Sequence, residues 1–139
     1  MAIEAGITQD AMTIADAIHD YAKSKQWMEN DYHIFMTGNS DFYTLRILVV
    51  ATAYEGRTEQ QEYRDFDDVM DVIESRAKPS LRAINSYGLA LRGKNDFAFY
   101  PAPRLDPGEF EVDEKLINFG VSWSEPFRSR AYPSAHGAE

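Results

Sequence analysis

The chain has 139 residues, 44% hydrophobic and 27% charged, with no cysteine; this composition fits a folded globular chain and excludes disulfides, thiolate metal sites and a cysteine nucleophile. The formal net charge of −9 is concentrated at one end, because residues 1–76 carry 6 Lys/Arg against 15 Asp/Glu whereas residues 77–139 carry 8 against 8. Such a field repels phosphate backbones, which disfavours sequence-specific nucleic-acid binding. No apolar run approaches the ~20 residues of a bilayer span and MAIEAGITQD lacks signal-peptide features, so the expectation is a soluble, cytoplasmic protein without a membrane partner.

In chain order, Thr8 to Trp27 reads as a first helix, with Thr8 as cap, Met12, Ala15, Ile18, Tyr21 and Ala22 at helical spacing, and Asp10, Asp16 and Asp20 turned outward. A first strand follows at Tyr32 to Met36, ended by the turn composition Gly38-Asn39-Ser40-Asp41. Tyr43 to Tyr54 is apolar on both faces, which predicts a central strand covered on both sides. Thr58 and Gln61 form a capping box for a second helix in which Tyr63, Phe66, Met70 and Ile73 recur every three or four residues, until Lys78-Pro79 stops it.

Beyond Pro79 the period returns to two, with Leu81, Ala83, Tyr87, Leu89 and Leu91 predicting a strand as far as Arg92 that forms a hairpin with Phe97 to Tyr100. Residues 101–115, rich in proline, read as a long exposed connection with edge-strand character at Phe110 to Val112. Ile117, Phe119, Val121 and Trp123 alternate with polar residues and predict a last strand ending at Pro126. The whole is expected as α+β, two helices packing on a mostly antiparallel sheet of about five strands in the order α-β-β-α-β-β-β, with residues 1–126 as one domain and 127–139 as a mobile tail.

The search for chemistry returns no nucleophile elbow, no phosphate-binding glycine loop and no metalloprotease or calcium-loop motif. His19, His33 and His136 show no ligand spacing, and the short basic stretch Arg128 to Arg130, with Arg104 upstream, is no more than commonplace. The dense polar run is in the second helix, where Asp67, Asp71 and Glu74 share a stripe beside Asp68 and Arg64. Three carboxylates on one stripe suit a hard divalent cation, but no second ligand-bearing segment accompanies them, and a solvated face with Arg64 neutralising Asp67 and Asp68 is the preferred reading. Tyr100, Trp123 and Phe127, with Tyr132, gather in the C-terminal third; they either complete the core or anchor a subunit interface.

The element order and spacing, with the long strand Thr44 to Tyr54 before the second helix, the hairpin Leu89 to Tyr100 and the strand Leu116 to Trp123, resembles that of small phage tail-terminator or tail-completion proteins over residues 8–125. That resemblance implies a non-enzymatic ring subunit assembled in a virion. A narrower window, Leu48 to Gly56 followed by Arg64, resembles the strand-turn-helix unit of BolA-like proteins, although no histidine follows the second helix before His136, and the cluster-handling role does not carry over. The expectation is therefore a protein that acts by association, without cofactor, metal or catalytic residue, as a homo-oligomer or with other protein subunits. A monomeric binding or regulatory module is the alternative, and a cation-dependent enzyme a third class.

Overall fold

In the computed structural model, which describes residues 2–94 and 105–120, the first helix, α1, runs from Ala2 to Ser24. It starts six residues before the expected cap because Ile7 belongs to the same buried stripe as Ala11, Ile14, Ala15 and Ile18, so Thr8 lies within the helix. The helix closes with Trp27 N–H donating to Ala22 C=O and Gln26 N–H to Lys23 C=O, around Gln26 in the left-handed region at φ 61°. This double bond pattern satisfies two of the last carbonyls and delivers Trp27 against Tyr21, ring centroids 5.8 Å apart.

Strand β1 spans Tyr32–Asn39 and β2 spans Thr44–Ala51; they pair antiparallel, with Ile34 opposite Val49 and Gly38 opposite Leu45. The first strand thus continues through Gly38 and does not turn there. A Cβ on Gly38 would stand 2.7 Å from Phe110 Cζ and 2.9 Å from Ile7 Cγ2, so glycine serves close packing at this position. The turn falls at residues 40–43, where Asn39 Oδ1 accepts from the amides of Asp41 and Phe42. The second strand ends at Ala51, and Thr52–Tyr54 form a short 3₁₀ turn that exposes Ala53 and buries Tyr54.

Helix α2, Glu59–Val72, opens with the expected capping box: Thr58 Oγ1 accepts from Gln61 N–H, and Gln61 Oε1 from Thr58 N–H. Its buried side is Val69 together with Ile73 and Ala77, whereas Tyr63 is 65% exposed and Phe66 is exposed as well. Of the expected stripe, Ile73 is buried and Met70 half-buried, whereas Tyr63 and Phe66 stand in solvent and Val69 is buried in addition. The helix widens into a π turn at Ile73–Ala77 and ends in a 3₁₀ turn, Lys78–Ser80, where Pro79 offers no N–H to extend it.

Residues 81–85 are not the expected strand. The amides of residues 82–84 are bound by the carboxylate of Asp10, which is buried in α1 and not turned outward: Arg82 N–H donates to Oδ1 at 3.0 Å, and Ala83 and Ile84 N–H donate to Oδ2 at 2.7 and 2.8 Å. Strand β3, Ser86–Gly93, then lies parallel to β2, because a helix intervenes between the two strands and carries the chain back to the start of the sheet. Strand β4, Glu109–Glu111, pairs antiparallel with the end of β1, as the edge-strand expectation for Phe110 to Val112 anticipated.

Among the described residues the protein is α+β, with a four-stranded mixed sheet in the order β3-β2-β1-β4. The apolar side chains of α1 and α2 form one cluster with Ile34 and Met36 of β1, Leu45, Ile47 and Val49 of β2 and Leu91 of β3. The expected last strand is replaced at its start by a one-turn helix, α3, Glu114–Ile117, capped by Asp113, whose side chain accepts from Lys115 N–H. Phe119 at φ 52° and Gly120 at φ 83° then turn the backbone away from strand geometry, leaving Ile117 buried and Phe119 exposed. The expected strand at Phe97 to Tyr100, the remainder of the last one and the tail 127–139 lie outside the described residues.

Two stability measurements follow from these contacts. Asp10→Ala leaves three amides without their acceptor and is expected to cost about 3 kcal/mol in urea unfolding. Gly38→Ala forces the Phe110 ring and Ile7 to move, with an expected loss of about 1–3 kcal/mol by the same method.

Candidate functional site

The acidic stripe of α2 is divided by its surroundings. Asp67, Asp71 and Glu74 are exposed, as a solvated face requires, while Asp68 is half-buried toward Tyr21. Glu74 is engaged within the chain, taking an ion pair from Lys78 at 3.0 Å and a hydrogen bond from the Tyr87 hydroxyl at 2.8 Å. These two donors hold its carboxyl below the usual range. Asp65, adjacent to the stripe, pairs with Arg57 at 2.9 Å. Among the described residues no three His, Asp or Glu side chains converge as a metal-ligand set.

Arg57, which precedes the Thr58 cap, is the centre of the α2 entry. Its Nε donates to Tyr54 C=O at 3.0 Å, Nη1 to Asp65 and Nη2 to Leu91 C=O at 3.4 Å, and the guanidinium lies 4.3 Å above the Tyr54 ring. One planar fork thus joins the end of β2, the helix α2 and strand β3. Around it sit Tyr54, Tyr21 and Trp27, with Trp27 edge-on to Tyr54 at 5.4 Å and tilted against Tyr32 at 5.6 Å. Burial, then the charges of Asp68 and Asp65, push the Tyr21 hydroxyl up to about 12, and burial raises Tyr54 further still. Both phenols stay protonated at any physiological pH and supply no nucleophile.

A second polar group joins α1, β1 and α3. Asn118 and His33 are buried, and His19 is half-buried. Asn118 exchanges both of its amide functions with the backbone of Ile34, its Nδ2 also donates to Glu114 C=O, and His33 Nε2 contacts Glu114 Oε2 at 3.3 Å. His19 Nε2 reaches the Ile117 carbonyl at 2.7 Å and its Nδ1 meets the Tyr32 hydroxyl. The buried polar residues Asp10, His33 and Asn118 thus serve to fasten segments of the chain to one another.

Apolar side chains, in contrast, stand in solvent at the two ends of the sheet. Met28, just before β1, is 71% exposed, and Phe42, in the turn after it, is 70% exposed, with Tyr43 beside it. The interface candidates from the sequence, Tyr100, Trp123 and Phe127, lie outside the described residues. The described helices include none long and apolar enough to cross a membrane. Comparison with protein-family models, with curated proteins and with solved structures finds no match to this chain.

The Arg57 junction can be tested directly. Arg57→Lys keeps the charge but loses the three-way fork and the stacking on Tyr54, and a loss of about 2 kcal/mol is expected in urea unfolding.

Proposed function

We propose that this protein works by association with copies of itself, as a structural or assembly subunit and not as an enzyme. The observation that carries this reading is the pair of exposed apolar side chains, Met28 and Phe42, which flank in sequence an eight-residue strand that itself spans roughly 25 Å at ~3.3 Å per residue. Single exposed apolar residues are ordinary on a protein surface, but two different protruding groups at opposite poles suit a head-to-tail contact, in which one end of each subunit meets the other end of the next. Such contacts close into rings when the rotation permits.

The helix-strand-strand-helix-strand order of residues 2–93 supports the same reading through its resemblance to tail-completion proteins. A subunit of that class would fold in the cytoplasm before joining a particle. An acidic helix, α2, facing the ring's opening would not retain a phosphate backbone.

Tyr63, projecting from α2 between exposed Glu59, Glu62 and Asp67, favours a second reading: a monomeric adaptor whose unlike partner is basic. The two readings separate by mass. Light scattering is expected to give several times the 15.8 kDa of one chain, and Phe42→Ser is expected to lower that mass without lowering the melting temperature. A monodisperse monomer at tens of micromolar overturns the assembly reading, and recovery of that monomer with a defined basic partner establishes the adaptor.

A further inference from the structure

Strand β3 forms an outer edge of the sheet, and among the described residues no strand lies beyond it. The carbonyl of Leu91 accepts from the guanidinium groups of Arg57 at 3.4 Å and Arg92 at 2.8 Å, which occupies both of its lone pairs and turns it away from β2. Alternate residues of a parallel strand direct their main-chain groups to the same side, so the N–H and C=O of Leu89 and Tyr87 also point outward. Ser86 to Leu91 contain neither charge nor proline, the usual protections of an edge. A Cβ on Gly88 would meet nothing within 4 Å, so the face of this edge away from the helices is unobstructed.

Helix α2 runs beside this edge in the opposite direction. Arg57, at its entry, reaches Leu91, and Glu74, just past its end, accepts from the Tyr87 hydroxyl at 2.8 Å. At roughly 3.6 residues per turn, Tyr63, Phe66 and Met70 lie toward the same side of α2 as Glu74. Tyr63 is 65% and Phe66 37% exposed, although with Met70 and Ile73 they make a stripe at the spacing of a buried face. The stripe is covered at Ile73, over the sheet, and bare where a strand next to β3 would lie.

We propose that the open edge of β3 and the bare side of α2 form a groove for an extended, basic segment of an unlike protein, which adds a strand to the sheet. Its main chain pairs with Tyr87 and Leu89, alternate apolar side chains cover Tyr63 and Phe66, and Lys or Arg side chains meet the exposed Glu59, Glu62 and Asp67. A second copy fits less well: pairing β3 with its counterpart about a twofold axis would bring α2 of each copy toward the other, on a chain of net charge −9. This groove is the binding site that the adaptor reading requires, and it rests on that reading.

Selection of a random library of displayed decapeptides against the full chain tests this. Enriched peptides are expected to carry Lys or Arg and to alternate apolar with polar residues; if no basic peptide is enriched, the groove and the adaptor reading both fall. With the most enriched peptide synthesised and added in excess, hydrogen exchange is expected to slow at the amides of Tyr87 and Leu89, while those of Gly88 and Ala90, which face β2, change little. Tyr63→Ser and Phe66→Ser, both at exposed positions, are each expected to weaken peptide binding about tenfold at an unchanged melting temperature. A basic peptide that binds without protecting Tyr87 and Leu89 overturns the groove and leaves the adaptor reading standing. Slow exchange of those two amides in the dilute, peptide-free protein would assign the edge to the chain's own expected strand at Phe97 to Tyr100, and protection that rises with protein concentration alone would assign it to a second copy; either result overturns the proposal.

Discussion

The fold turns on a carboxylate buried where an aliphatic side chain would be expected. Asp10 sits in the apolar stripe of α1, one turn from Ile7 and one from Ile14, and would be costly there without partners. Three successive amides of residues 82–84 supply them. The carboxylate thereby fixes where the chain, having left the sheet through α2, comes back to it. Strand β3 then enters beside β2 and parallel to it, directly after the crossover has been pinned to α1.

The same economy operates at the opposite edge of the sheet, where β1 would otherwise present unpaired backbone. A three-residue strand, one amide of Val112 and the carboxamide of Asn118 satisfy it in turn. A mixed closure of this kind differs from a continuous strand in its response to perturbation. A ladder opens only with the sheet, whereas a side chain on a one-turn helix can leave while the ladder between β1 and β2 stays whole.

Much of this architecture was legible in the residues. The capping box of Thr58 and Gln61, the two-faced apolar run of β2 and the edge character around Phe110 all follow from local chemistry, and local chemistry decided them. The parallel placement of β3 departs from the mostly antiparallel sheet expected, although the helix between the two strands carried the signal, since adjacent strands so connected run parallel. The role of Asp10 was hidden by assigning acidic residues to the outer face, although its spacing from Ile7 and Ile14 puts it on the inner one. Alternation misread Ile117 and Phe119, because two residues of matching hydrophobicity do not reveal that Asp113 caps a turn and that the backbone at Phe119 and Gly120 is left-handed. On α2, aromatic size suggested burial for Tyr63 and Phe66, yet the buried side chains are Val69 and, just beyond the helix, Ile73 and Ala77.

The candidate site was legible in its acidity and not in its division. Periodicity placed Asp67, Asp71 and Glu74 on one stripe, and the stripe is exposed, yet what each carboxylate does is set by residues remote in sequence. Arg57 engages Asp65 from the preceding turn, and Tyr87 reaches Glu74 from β3. What remains uncommitted on α2 is a short negative face flanked by aromatic rings, on a chain whose net charge makes copies repel one another at low salt. That repulsion would be strongest in any contact that set α2 of one copy against α2 of another.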